Sequence, residues 1–278
     1  MDTTSNNPLA GYFRQPAIYI KLPSGGKYWP DGTLNLPVTG EIPVYPMTTK
    51  DEITLRTPDA LLNGEGVVSV IQSCCPSITN AWDMPSIDVD TALISLRIAS
   101  YGNSMDISAK CPKCKEEHSY VVDLSQVVAA ISTPDYSKII NVNNLVITMR
   151  PQPYFSVNKT NAVNFEEQRI LQTINADLPD GEKSALFNQH LQRLVDLNLK
   201  LMVDSTESIL LPDGKLVTDS KFIEEFYNNT DRNTVKTVRS WLEQAAKEAA
   251  IKPVAVKCAD CEHSFEITLT FDYANFFA

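Results

Sequence analysis

Two cysteine pairs with the spacing Cys-x-x-Cys are the residues of this sequence best suited to chemistry. Cys111 and Cys114 form the first pair, and Cys258 and Cys261 form the second. Two cysteines at this spacing can direct both sulfur atoms at one ion from a tight turn, and zinc needs four roughly tetrahedral ligands. The four cysteines together therefore predict a single structural Zn²⁺ site.

The surroundings of the cysteines favour metal binding over a disulfide. Residues 1–7 have neither the basic region nor the apolar region of a secretory signal, which predicts a reducing compartment. Four lysines adjoin the cysteines and are expected to offset the negative charge of the thiolates. They are Lys110, Lys113, Lys115 and Lys257.

Three other interpretations of the cysteine pairs stay open. Each pair could be redox-active or incidental, although no βαβ pattern surrounds either one. His118 and His263 follow the two pairs, and either could replace one sulfur as a ligand. An iron ion in a rubredoxin-like site of four cysteines also fits the pattern.

A site closed by four cysteines predicts a structural and non-enzymatic protein. Such a site leaves no coordination position open for water or substrate. The sequence contains no GxxxxGK[ST], HExxH, GxSxG or GxGxxG motif, and its three histidines leave little room for a catalytic pair. The remaining cysteines, Cys74 and Cys75, precede Pro76 and are expected to be small buried residues at a helix end.

Strand patterns lead into and out of each cysteine pair. Residues 106–110 and 254–257 precede the two pairs, and residues 118–124 and 267–273 follow them. Because 143 residues lie between Cys114 and Cys258, the two units can form one zinc ribbon only if the segment between them is an insertion.

The intervening segments predict an α+β fold. Helical patterns cover 48–101, where the apolar residues of 93–99 surround most of one helix and indicate that it is central. Asn143-Asn144 between two apolar runs predicts a hairpin, as does the stretch 209–217. Apolar residues recur at helical spacing over 187–201 and 235–249.

These patterns divide the chain into three predicted parts. Residues 1–16 are polar and are expected to form an extended N-terminal arm. Residues 17–154 and 251–278 are expected to form an α+β body that includes the zinc ribbon. Residues 155–250 are expected to form a mostly helical insertion.

The charge of the chain disfavours nucleic acid as a partner, and the lengths of its apolar runs disfavour a membrane-spanning helix. Its 24 basic and 34 acidic residues give a net charge of −10, and no segment is a basic tract. No apolar run approaches the roughly 18 residues that a membrane-spanning helix needs.

A succession of motifs between residues 42 and 153 carries a family resemblance. In order, they are IPVYPM (42–47), VVSVIQSC (67–74), MPSID (84–88), LISLRIAS (93–100), CPKC (111–114), YVVDL (120–124) and IINVNNLVITMRP (139–151). With these motifs the stretch resembles the baseplate hub and hub-assembly protein family of T-even-like contractile-tailed phages.

The resemblance implies a non-enzymatic structural or assembly component in the hub or wedge region of a phage baseplate. Its expected partners are other baseplate and tail proteins in a larger symmetric assembly, and its expected location is the virion tail or the host cytoplasm during assembly. The alternative is a zinc-ribbon module that binds nucleic acid or acts in transcription, supported by the ribbon and the lysines beside it. An enzyme is the third possibility and would need a pocket with an open metal or a strongly perturbed side chain.

Overall fold

The computed structural model describes residues 7–57, 64–174, 180–269 and 276, so residues 1–6 of the predicted arm lie outside it. Among the described residues, no helix is both long and apolar enough to cross a bilayer. The helices α1 to α8 are Thr49–Leu55, Glu65–Cys74, Ser86–Tyr101, Leu124–Ala130, Tyr154–Ile174, Asp180–Asp204, Ser220–Asn229 and Arg232–Ala249. Short 3₁₀ helices are Ala10–Tyr12 and Ala81–Asp83.

The strands form small antiparallel sheets, and the predicted α+β class is confirmed. β1 pairs with β2, β3 with β4 and β9 with β10, while β5 to β8 form a four-stranded sheet in sequence order. The strands β1 to β10 are Ile18–Ile20, Ile42–Val44, Ser104–Lys110, Glu117–Asp123, Ile140–Val142, Leu145–Met149, Thr206–Leu210, Leu216–Val217, Val254–Lys257 and Ser264–Ile267.

The first hydrophobic core lies around α3, which is the central helix that the sequence predicts. Leu93, Ile94 and Leu96 of this helix are almost completely buried. Asp88 in its first turn is also buried and accepts hydrogen bonds from the backbone N–H of Ser24 and from Nε1 of Trp29. These bonds satisfy a carboxylate that would otherwise be costly to bury, and they fix the turn at residue 24 to the helix.

Two hairpins, β3–β4 and β9–β10, pack against this first core. Val122 is buried in the core, while Ile107 and Val254 pack against it half-buried. The chain leaves β4 through α4, a helix that the sequence analysis missed because it predicted a strand up to Leu124. The Asp123 side chain accepts a hydrogen bond from the Ser125 N–H and ends the strand by capping the helix.

A second hydrophobic core lies between the four-stranded sheet and helices α6 to α8. Ile147 of β6, Ile209 of β7 and Val238 of α8 are buried in it. The predicted turn at Asn143-Asn144 is confirmed, because both residues have positive φ values of 48° and 61°. In this sheet β6, which precedes residue 154, pairs with β7, which follows it. The domain boundaries that the sequence predicts stay a prediction.

The N-terminal segment is fixed to the first core by one arginine. Arg14 donates hydrogen bonds to the carbonyl oxygens of Pro46 and Ser73, and its guanidinium lies 3.2 Å from the carboxylate of Asp51. Burial raises the pKa of Asp51, but hydrogen bonds from Thr48 and Ser73 and the charge of Arg14 outweigh it, so the pKa is lowered below 3.8. The carboxylate also completes the capping box that begins α1.

The last described residue is also part of the first core. The Phe276 side chain is buried there, and its carbonyl oxygen accepts a hydrogen bond from Nε of Arg97 on α3. The sequence predicted a strand over 267–273, whereas β10 begins at Ser264 and ends at Ile267. Residues 270–275 lie outside the described part of the chain.

Candidate metal centre

The four cysteines of the two Cys-x-x-Cys pairs come together at the ends of the two hairpins. The Sγ atoms of Cys111 and Cys261 are 3.6 Å apart, as are those of Cys114 and Cys258. All four sulfur atoms lie within 4.8 Å of one another. Four sulfurs at about 2.3 Å from a tetrahedral zinc ion would be about 3.8 Å apart, so the cluster is compatible with a bound metal ion.

A tight turn positions the first pair. The carbonyl oxygen of Cys111 accepts a hydrogen bond from the N–H of Lys115, and the N–H of Cys111 donates to the carbonyl oxygen of Glu116. Lys115 lies in the left-handed region with a φ of 67°. This turn reverses the chain directly after Cys114, so that both sulfurs point to the same side.

The second pair lies in a turn with the same hydrogen bonds. The N–H of Glu262 donates to the carbonyl oxygen of Cys258, and the N–H of Cys258 donates to the carbonyl oxygen of His263. Glu262 has a φ of 53°, matching Lys115 in the first turn. The two hairpins therefore present their cysteines in equivalent ways, although 144 positions separate Cys114 from Cys258.

The turns favour the thiolate form of the first cysteine in each pair. Burial raises the pKa of Cys111, but backbone N–H groups of Cys114 and Lys113 act on its sulfur and lower the pKa to about 6. The N–H of Cys261 likewise lowers the pKa of Cys258. At Cys114 the N–H of Glu116 lowers the pKa, but burial and the neighbouring sulfurs raise it to about 12. Four such sulfurs cannot all ionise unless a cation balances their charge.

The other two cysteines have a different environment, as the sequence predicts. Cys74 and Cys75 end α2 and are completely buried in the first core. Burial raises the pKa of Cys74 to about 11 and that of Cys75 to about 12. Both residues hold neutral thiols at physiological pH. Cys75 is an apolar packing group, whereas the Cys74 sulfur also accepts a contact of 3.5 Å from Nη1 of Arg14.

Two of the four lysines beside the cysteines pair with glutamates on the protein surface. Nζ of Lys110 lies 3.9 Å from the Glu117 carboxylate, and Nζ of Lys257 lies 3.3 Å from that of Glu262. All four lysines were expected to offset thiolate charge, and Lys110 and Lys257 instead form ion pairs with carboxylates. Exposed pairs of this kind contribute little stability.

Both histidines near the cluster contact other side chains. Nε2 of His118 lies 3.0 Å from the carboxylate of Asp260 in the opposite turn. The ring of His263 stacks on the ring of Phe265 with centroids 6.4 Å apart. The four sulfur atoms cluster without either imidazole among them.

Two further side chains, not predicted from the sequence, join the hairpins. Asp260 bonds His118 across the cluster, and no local pattern links residues 142 positions apart. Tyr120 packs edge to face on Phe265 with ring centroids 5.7 Å apart. Alternation along β4 could have assigned Tyr120 to the inner face, two residues after His118 and two before the buried Val122.

Comparison with known proteins gives one match. The family model described as "T4 bacteriophage base plate protein" matches residues 16–278. No curated protein and no solved structure gives a significant match. The matched range includes both cysteine pairs and both hydrophobic cores.

Proposed function

Because this chain belongs to the T4 bacteriophage base plate protein family, we propose that it is a non-enzymatic component of the hub or wedge region of a contractile-tailed phage baseplate. The observation that carries the proposal is the family match over residues 16–278, which supports a structural role in the baseplate and a location in the virion tail. The chain acts as a structural or assembly protein through contacts with other baseplate and tail proteins.

Within this role, Cys111, Cys114, Cys258 and Cys261 hold one Zn²⁺ ion. The close packing of the four sulfurs supports this ligand set. Zinc suits the site because four thiolates fill its tetrahedral coordination and leave no position for a substrate. The ion fastens hairpin β9–β10 to hairpin β3–β4 and so keeps the C-terminal part of the chain on the first core.

The proposed partner surfaces lie on the N-terminal segment and on the mostly helical segment 155–250. Tyr12 and Phe13 are exposed, Tyr12 to 87%, although Arg14 beside them is fixed to the core. Aromatic side chains held on a fixed backbone are suited to contacts with other proteins. The partners would be other tail and baseplate proteins in a symmetric assembly, joined in the host cytoplasm before the virion is complete.

The nucleic-acid alternative loses support from the surface around the cysteines. Lys110 and Lys257 pair with Glu117 and Glu262, and the whole chain carries a net charge of −10. A nucleic-acid-binding ribbon would instead need unpaired basic groups along one face.

Deleting the gene from a phage that encodes this chain tests the proposed function. We expect tails without complete baseplates in electron micrographs, and restoration when the wild-type gene is supplied. Mass spectrometry of purified virions then distinguishes a virion component, which is present in the particles, from an assembly factor, which is absent. Complete baseplates in the deletion strain would overturn the proposal.

Elemental analysis of the purified protein tests the metal centre. We expect one zinc ion per chain, lost to the same extent in Cys111→Ser, Cys114→Ser, Cys258→Ser and Cys261→Ser. Cys75→Ser is the matched control, because it removes a buried thiol outside the cluster. Iron in place of zinc, two ions per chain, or metal retention after changes at Cys258 and Cys261 would overturn the zinc site.

A further inference from the structure

The inner face of hairpin β3–β4 holds a buried hydroxyl group that makes no hydrogen bond within the described part of the chain. It belongs to Tyr120, whose Oη atom is shielded from solvent. A phenolic O–H is a hydrogen-bond donor, and burying one without an acceptor is unfavourable. Native proteins pair nearly all such groups, so the Tyr120 hydroxyl calls for an acceptor.

Neighbouring rings fix the direction of the Tyr120 side chain. Phe265 of the opposite hairpin packs edge to face on it, and His118 of the same strand lies 6.3 Å from it between ring centroids. With Val122 buried next along the same face, the phenol ring is held between the two hairpins. Its buried hydroxyl therefore lies between two hairpins whose ends meet at the cysteine cluster.

The strand register places Cys258 on the face that Tyr120 packs against. Phe265, whose ring contacts Tyr120, pairs with Val256, and the buried Cys258 follows two residues later on the same face. A sulfur that binds a metal ion retains lone pairs that accept hydrogen bonds.

The second hairpin has no equivalent donor. Tyr120 lies six residues after Cys114, and the residue six positions after Cys261 is Ile267, which has an apolar side chain. The two turns match in their backbone hydrogen bonds but differ at this position. A bond from Tyr120 to the second hairpin would therefore add to the His118–Asp260 contact and have no counterpart running from the second hairpin to the first.

We propose that Tyr120 is a positioning residue of the metal centre and that its hydroxyl donates a hydrogen bond to the metal-bound sulfur of Cys258. This inference rests on the proposed metal centre, because the bond strengthens when a metal ion holds Cys258 as a thiolate. The bond joins hairpin β3–β4 to a ligand of hairpin β9–β10. It orients that ligand and stabilises its negative charge, as outer hydrogen-bond partners of metal ligands do.

Tyr120→Phe is the direct test, because it removes the hydroxyl and keeps the ring. We expect the full-length variant to bind one metal ion but to lose affinity for zinc about 10- to 100-fold in a chelator competition. In the cobalt-loaded protein, the sulfur-to-cobalt charge-transfer band should move to lower energy at unchanged intensity. The shift follows because a hydrogen bond lowers the energy of the sulfur lone pairs, while the number of thiolate ligands stays the same.

Two control variants separate the hydroxyl from its surroundings. Tyr19→Phe removes an exposed hydroxyl far from the cysteines and should leave affinity and band position unchanged. Phe265→Leu loosens the packing of the Tyr120 ring but leaves the hydroxyl in place, and it should shift the band less than Tyr120→Phe does. An equal shift in Phe265→Leu would assign the effect to packing and overturn the hydrogen bond.

The outcomes distinguish this inference from the metal centre on which it depends. Wild-type protein without a bound metal would overturn the metal centre itself. One bound metal with identical affinity and spectrum in wild type and Tyr120→Phe would overturn only the role of Tyr120. If the variant does not fold, NMR of the wild type loaded with NMR-active cadmium decides. A scalar coupling between the Tyr120 hydroxyl proton and the metal supports the bond, and its absence overturns it.

Discussion

The cysteine ribbon, formed by β3–β4 and β9–β10, and the helical core around α3 adjoin each other but are built from different contacts. In α3, residues such as Ile94 and Leu96 are completely buried. In the ribbon, alternate residues such as Val256 and Phe265 are only half-buried. The ribbon instead concentrates four sulfur atoms within 4.8 Å of one another.

The difference indicates where each region obtains its stability. Burial of apolar surface stabilises α3, at about 25 cal/mol for each Å² removed from water. Isolated two-stranded hairpins are marginal in water, and the ribbon consists of two of them. A metal ion held by the four cysteines would join the hairpins without a large core, whereas the packing of α3 needs no such ion. The two regions should therefore respond to different perturbations.

Metal removal should have the largest effect and should act on the ribbon. Structural zinc contributes about 10–16 kcal/mol in zinc-finger peptides, which is comparable to the roughly 5–15 kcal/mol of stability of a typical domain. After chelation, hydrogen exchange should accelerate to the unfolded rate in β3–β4 and β9–β10, while α3 keeps its protection. Uniform loss of protection in both regions would show that the ribbon and the core do not differ in this way.

Leu96→Ala should have the converse effect. It removes a completely buried side chain from the first core and should lower the free energy of unfolding by about 2–5 kcal/mol. The metal content should stay at that of the wild type, because the side chain lies outside the cysteine cluster. Denaturant unfolding and elemental analysis of the same preparation check both expectations. Metal loss at temperatures where α3 remains folded would contradict them.

Arg14→Ala should have a smaller effect, confined to the N-terminal side of the core. The variant loses hydrogen bonds to the carbonyl oxygens of Pro46 and Ser73 and the contact with Asp51, for about 1–3 kcal/mol in denaturant unfolding. Arg14→Lys is the matched control, since it keeps the charge but loses the planar guanidinium. A full recovery in the lysine variant would contradict the importance of the two carbonyl contacts.

The same variant should change the pH dependence of stability. The pKa of Asp51 is lowered in the folded protein, so its carboxylate stabilises the fold above pH 3.8 and this contribution is lost as the pH falls through the folded pKa. Without the charge of Arg14 the folded pKa rises towards 3.8. Below about pH 4, the stability of Arg14→Ala should therefore fall less steeply than that of the wild type. Equal slopes in unfolding titrations would rule out the coupling.

Lys115→Gly should have the smallest effect and the opposite sign. Lys115 has a φ of 67°, and a residue with a side chain is strained in this region. Glycine relieves this strain in the folded protein. Its greater freedom in the unfolded chain offsets part of the gain, so we expect a net stabilisation of about 0.5–1 kcal/mol. Glu262→Gly in the equivalent turn should gain less, because it also loses the contact with Lys257. A loss of stability in Lys115→Gly would indicate that its side chain has a role in the first turn.

Local patterns were sufficient to predict much of the ribbon and of α3. The strands leading into both cysteine pairs, the central position of α3 and the turn at Asn143-Asn144 follow from side-chain periodicity and from turn-forming residues. The meeting of the two distant cysteine pairs was predictable for a chemical reason, since one tetrahedral ion needs four ligands.

Contacts that depend on tertiary packing were not predictable from the sequence. α4 begins where a strand pattern continues, because capping by Asp123 outweighs the apolar pattern after it. The contact between His118 and Asp260 and the anchoring of Arg14 join residues far apart in the chain. Such pairs have no local signature, because either residue alone would be an ordinary surface side chain.

The distance between the two cysteine pairs also sets an order of events during synthesis. A ribosome adds about 5–20 residues per second, so the 144 positions from Cys114 to Cys258 take about 7–29 s. Throughout that interval, hairpin β3–β4 has two of the four sulfurs. The ribbon can close only after the second core and its helices have been translated, and a truncated polypeptide that lacks Cys258 never closes it.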